Sequence, residues 1–92
     1  MKLTEIETSF KTNLENYENK WDFDARTLHL VEEVGELAEI ILQYKGIKKP
    51  EKDLNDIKVA LADVIDDVYA IALLKGISLE ELTLEVLKND EK

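Results

Sequence analysis

The sequence predicts an all-α fold, a bundle of four helices. Three observations carry that prediction, the first two being that apolar residues recur at steps of three and four along nearly the whole chain and that no stretch shows the alternation of a half-buried strand. The third is punctuation. Gly46 with Pro50 marks one connection and Gly76 another, while Gly35 stands alone inside an apolar periodic segment.

The first helix opens at Thr4, with Glu7 at capping-box spacing, and carries Ile6, Phe10, Leu14 and Tyr17 along one stripe. A break around Asn19 to Phe23 precedes a second helix of about Asp24 to Tyr44. Leu30, Val34, Leu37 and Ile41 form its apolar face, with Val31, Ala38 and Leu42 beside it. After the basic linker Lys45 to Pro50, Pro50 suits the first turn of a third helix running to about Lys75, where Gly76 stops it. Ile57, Leu61, Val64, Val68 and Ile71 make one stripe of this helix, and Val59, Ala62, Ile65, Tyr69 and Leu73 make another. Two stripes predict a central helix buried on more than one side. Ser78 with Glu81 makes a second capping box, opening a final helix that turns Leu79, Leu82, Val86 and Leu87 inward. The tail Lys88 to Lys92 is polar enough to fray.

At 92 residues the chain reads as a single domain, 1–92, with a modest core, so association with another copy is expected. It has no cysteine, which removes disulfides and thiolate metal sites and favours the cytoplasm. Lys2, Glu5, Glu7 and Lys11 interrupt any signal-peptide core, and no apolar run approaches the roughly 20 residues that span a bilayer, so no membrane insertion is expected. Twenty-one acidic against twelve basic residues give a formal charge of −9. That balance repels a nucleic-acid backbone, because affinity for it comes from Lys and Arg displacing counterions. A small phosphorylated ligand remains compatible, provided a metal ion supplies the positive charge.

The acidic residues fall in a pattern. Glu33 and Glu36 lie one turn apart on the second helix, and Glu32 pairs with Glu36 at the i, i+4 spacing. Like charges there repel, more so if they lose water, and a divalent cation offsets the repulsion. Asp63, followed by Asp66 and Asp67, interrupts an apolar stretch of the third helix and is the natural partner from that side. Hard cations such as Mg²⁺ take such oxygen sets. Gly35 costs about 1 kcal/mol relative to alanine inside a helix, so a close helix crossing or a ligand is its expected reason. The simpler reading of any one acidic pair, Glu32 and Glu39 above all, is a solvated face.

Leu30-Val31-Glu32-Glu33-Val34-Gly35-Glu36-Leu37-Ala38-Glu39, followed by Leu61-Ala62-Asp63-Val64 and then Leu74-Lys75-Gly76-Ile77-Ser78-Leu79-Glu80-Glu81, resembles the MazG superfamily over about residues 21 to 87. The resemblance implies an all-α nucleoside triphosphate pyrophosphohydrolase that assembles as a dimer or a dimer of dimers. It implies a Glu-x-x-Glu pair on one helix and a Glu-x-x-Asp pair on the next, binding Mg²⁺, with Mn²⁺ as the alternative ion. Glu33 and Glu36 match the first pair and Asp63 the end of the second, but Ala60 stands where the pattern has glutamate. Asp67, one turn beyond Asp63, and Asp56, one turn before Ala60, are the candidates to compensate.

On that resemblance Glu33, Glu36, Asp63 and Asp67 are the expected metal ligands, and Glu32, Glu33 and Glu36 the expected catalytic carboxylates, with Glu32 or Glu36 orienting the attacking water. Trp21 and Phe23 lie where similar proteins place aromatic side chains near the base, a candidate stacking role set against core packing for at least one of them. Lys45, with Lys48, Lys49 and Lys52, is a candidate phosphate contact, across a subunit interface or otherwise, against a simple solvated turn. Arg26 is treated with the same reserve. His29 lies four residues before Glu33 but is read as a packing or surface residue, outside the metal set. Three readings stay open: a Mg²⁺-dependent pyrophosphohydrolase, of nucleotide house-cleaning or phosphoribosyl-ATP type; a weak member that binds nucleotide or a protein partner; and a structural helical protein.

Overall fold

The computed structural model describes residues 1–16 and 21–90. Four helices follow in order, α1 Leu3–Asn16, α2 Phe23–Tyr44, α3 Leu54–Leu74 and α4 Leu79–Asp90, with no strand among the described residues. Tyr17 of the first stripe, and Asn19 and Lys20 of the expected break, lie outside the described residues, as do Glu91 and Lys92 of the tail.

The helix starts follow local hydrogen-bond chemistry, and two of them depart from expectation. Helix α1 has its first amide bonds on the Lys2 carbonyl, and the Thr4 to Glu7 box does not form. Glu7 is engaged elsewhere: its carboxylate accepts from the Leu79 amide at 2.7 Å, capping α4, and lies 3.9 Å from Lys11. Asp22 is the N-cap of α2 and accepts from the Ala25 amide at 2.8 Å, so Phe23 opens the helix instead of belonging to the break. Helix α3 begins four residues after Pro50, at Leu54. Asp53 and Asp56 form a reciprocal capping box there, which satisfies amides that a Pro50 start leaves unserved. The expected Ser78 cap holds, with the Glu81 amide donating to Oγ at 3.1 Å. Helix α4 stays regular through Lys88 to Asp90.

Both glycine stops are left-handed. Gly46 has φ +77° with the Ile47 amide on the Leu42 carbonyl, and Gly76 has φ +72° with the Ile77 amide on the Ala72 carbonyl. Each pair is a Schellman closure that needs a residue without a Cβ penalty.

Helix α3 is central, as its two stripes predict: it packs along α2 on one side and touches α1 and α4 on the other, while α2 meets neither α1 nor α4. Phe10 and Tyr69 lock α1 to α3 edge to face at 5.2 Å, and Lys75 lies over the Phe23 ring at 4.3 Å where α3 ends beside the start of α2. The burial differs from expectation. Val59, Ala62 and Ile65 of the second stripe are exposed, as is Leu61 at 47%. On α2 the side turned to α3 carries Arg26, Leu30, Glu33, Leu37, Ile40 and Gln43, whereas Val31, Val34, Ala38, Ile41 and Leu42 face outward. Among the described helices only α3 packs on α2, and one neighbour covers one stripe. The buried apolar residues among those described are Ala60, Ala70, Ala72 and Leu79. No described helix is long and apolar enough to cross a membrane.

A candidate metal centre between the second and third helices

Helices α2 and α3 run antiparallel, which brings the middle of one beside the middle of the other. One turn of helix advances about 5.4 Å, so residues three or four apart on α2 meet residues three or four apart on α3 in the opposite order. His29 is therefore level with Asp67, and Glu33 with Asp63. Leu30 and Leu37 on α2 and Val64 and Val68 on α3 are half-buried along the same stretch.

Asp67 forms the floor. Its side chain is 1% exposed, and both oxygens are occupied: Oδ1 by Arg26 Nη1 at 3.2 Å, Oδ2 by His29 Nδ1 at 2.7 Å. A buried carboxylate is tolerable only when paired in this way. His29 then bridges to Glu33, with Nε2 3.0 Å from Oε1. The Trp21 ring packs edge to face on the imidazole at 4.8 Å, and the Arg26 guanidinium sits 5.1 Å from the centre of the Trp21 ring. One ligand atom each from His29, Glu33 and Asp67 lies within 4.8 Å of the others.

Glu33 is the electrostatic focus. Loss of solvation, then repulsion from Glu36, Asp63 and Asp67, raises its carboxyl above the ordinary glutamate value, against an opposing pull from His29. Asp66 is raised too, first by loss of solvation and then by Asp67 and Asp63, with Arg26 opposing. Three carboxylates crowding a fourth on two facing helices are a donor set whose repulsion a divalent cation relieves, and their oxygens together with one imidazole nitrogen suit such an ion.

The expected site residues fall into distinct places. Glu36 from the same helix and Asp63 from across the seam both repel Glu33, and both reach solvent. Asp67 joins them from beneath through His29 and Arg26. Glu32 is exposed and lines a shallow recess with Trp21, Ala25, Leu28 and His29. Trp21 thus stands next to the carboxylates. Lys45 is the C-cap of α2, about 33 Å along the helix from its start, so a small ligand on one chain does not span Trp21 and Lys45. Lys48 is paired with Glu39 at 2.8 Å and Lys49 with Glu51 at 3.2 Å. Asp56 is committed to the Asp53 capping box, which lowers its carboxyl and leaves it at the start of α3. Ala60 is 5% exposed.

The reading of His29 as a packing or surface residue missed its part in this cluster, and Arg26 was set aside with it. The i, i+4 spacing from His29 to Glu33 was visible in the sequence; the pairing of both residues with Asp67 was not, because it depends on the α2–α3 register. No curated protein and no solved structure gives a significant match to the chain. The model of the MazG nucleotide pyrophosphohydrolase domain family does match, over residues 22–89. That span runs from the N-cap of α2 nearly to the end of α4 and takes in every carboxylate of the cluster, and the chain belongs to that family.

Proposed function

We propose that the protein is a divalent-metal-dependent nucleoside triphosphate pyrophosphohydrolase, cleaving an NTP or dNTP to the monophosphate and pyrophosphate in a nucleotide house-cleaning role. The observation that carries the reading is the gathering of Asp63 and Asp67 from α3 beside Glu33 and Glu36 of α2, in a chain of this family. Glu33, Glu36 and Asp63 hold the ion, Mg²⁺ or Mn²⁺, and Asp67 supports them from the floor. A bound divalent cation neutralises phosphate charge and favours ionisation of a coordinated water. Glu32, exposed beside the ligands, orients the attacking water, with Glu36 as the alternative. Trp21 offers its free edge to the base, and Lys45 reaches phosphate only from a second copy of the chain.

A second copy has a place to bind. The accessible surface of one chain is 7008 Å², whereas a compact monomer of this mass exposes about 5,500 Å². The difference, on the order of 1,500 Å², exceeds the roughly 800 Å² per partner of a standard interface. We therefore read the working form as a homodimer or dimer of dimers, acting in the cytoplasm on small nucleotides and not on nucleic-acid polymers.

The test is pyrophosphate release from a panel of nucleoside triphosphates, with and without Mg²⁺, using Asp63→Asn as the control. Metal-dependent release that drops at least 100-fold in the variant is the expected result. Absence of release from every nucleotide in the wild type would overturn the enzyme reading.

Ala60 favours a second reading, a weak member that binds nucleotide without turning it over, because its buried methyl offers no oxygen to the α3 side of the site. Ala60→Glu separates the two: turnover that appears only in the variant supports the binding role, and turnover already present in the wild type removes it.

A further inference from the structure

The metal reading above names carboxylates; the geometry around His29 points further. We propose that His29 supplies a nitrogen ligand to the metal centre through Nε2, held in place by Asp67, so that the site takes Mn²⁺ in preference to Mg²⁺. This rests on the metal-centre reading but not on the identity of the nucleotide.

Three observations carry it. Asp67 is a carboxylate with only acceptor capacity, and Nδ1 stands 2.7 Å from its Oδ2, so Nδ1 bears the hydrogen of that bond. That leaves Nε2 as the outward nitrogen of a carboxylate–histidine pair, the arrangement that orients imidazole ligands and raises their basicity. Nε2 in turn donates to Glu33 Oε1 at 3.0 Å, since that oxygen also only accepts, and a bound cation would take the place of that hydrogen, releasing it as a proton. Two donors that each bind one ion at about 2.1 Å, at right angles, are about 3.0 Å apart.

The imidazole is held on its other sides as well. Arg26 anchors the far oxygen of Asp67 at 3.2 Å, and Trp21 packs on the ring edge to face. On the opposite side of Glu33, where a further donor would have to come from α3, Ala60 offers a methyl. The donor set is therefore displaced one turn toward the start of α2, and it gains a nitrogen. Imidazole suits transition metals, whereas Mg²⁺ favours oxygen and gains little from it.

The experiment uses the whole, tag-free protein loaded with Mn²⁺ and read by electron spin-echo envelope modulation. His29 is the chain's one histidine, so an imidazole ¹⁴N signal has a single source. The expected result is a ¹⁴N modulation that converts to the ¹⁵N pattern when histidine is ¹⁵N-labelled, a control that needs no variant. His29→Gln is expected to abolish the signal and weaken Mn²⁺ binding about tenfold or more, with a smaller loss for Mg²⁺. Asp67→Asn, with an oxygen still able to accept from Nδ1, is expected to keep the signal and weaken Mn²⁺ about tenfold. Bound Mn²⁺ without a ¹⁴N signal would overturn this proposal while leaving the carboxylate site intact. Failure to bind Mn²⁺ at all would overturn both. A nitrogen signal in a protein that releases no pyrophosphate would support the ligand assignment and sink the enzyme reading instead.

Discussion

Loss of solvation first, and then the neighbouring Glu36, Asp63 and Asp67, raise the Glu33 carboxyl, with His29 pulling the other way. A raised carboxylate favours its protonated form in the folded state, so this contribution to stability is present below the ordinary glutamate value and lost as pH rises through the raised one. Above the raised value the metal-free protein carries that repulsion in full. Glu33→Gln is therefore expected to melt at the same temperature as the wild type or slightly above it without metal, and to gain little on adding Mn²⁺ or Mg²⁺. Thermal melts with and without each ion check both halves. A variant that melts several degrees lower without metal would show that the His29 contact outweighs the repulsion. Residue types and spacing pointed to Glu33, Glu36 and Asp63 before any fold was known; that Glu33 faces inward and Asp67 lies beneath it depended on which side of each helix meets the other.

At the scale of elements, the chain uses its short-range signals unevenly. Asp22, Asp53 with Asp56, and Ser78 with Glu81 each cap the helix they precede, and Gly46 and Gly76 each close one. The Thr4 to Glu7 pair had the same spacing but a different use: Glu7 bridges to the first turn of α4, 72 residues away. A hydrogen bond to an otherwise unserved helix amide contributes roughly 1 kcal/mol. Glu7→Ala is expected to lower stability by about that amount in urea unfolding and to loosen α4, read as faster amide exchange at Leu79. Unchanged exchange there would mean that the contact adds nothing. No local pattern distinguishes a glutamate that caps its own helix from one that caps another, because both are acceptors near an N-terminus.

The whole molecule is open. Its radius of gyration is 15.2 Å, where a compact chain of this length has about 12 Å. Leu28, Val31, Ala38 and Leu42 recur at steps of three, seven and four on the outer side of α2, around Gly35, which has nothing within 4 Å of where a Cβ would stand. Among the described residues nothing packs against that glycine; in the dimer proposed above, a helix of the second copy would cross there at short range. Val31 is 66% exposed in one chain, so Val31→Glu has little to disturb in the monomer fold. It is expected to convert an oligomer to monomer in light scattering coupled to size exclusion, with helical content retained. A variant that elutes at the wild-type mass would move the interface off this side of α2.

Helix number, helix order and the acidic turn positions were legible in the chain because they follow from short-range rules: the 3.6-residue period, capping acceptors, and glycines at positive φ. The apolar stripes were legible as well, but not their partners. The periodicity of Val31, Val34 and Leu42 is the same whether they meet α3 or another copy, and that of Leu61 and Ile65 is the same whether buried or open. The α2–α3 register settled what the pattern left free. It joined Arg26 and His29 to Asp67, 41 and 38 residues away in sequence, in one network around a buried carboxylate, and it made a histidine read as a packing or surface residue the bridge between two acidic helices. Such long-range pairings depend on how two helix surfaces fit together, and no spacing along one chain encodes that fit.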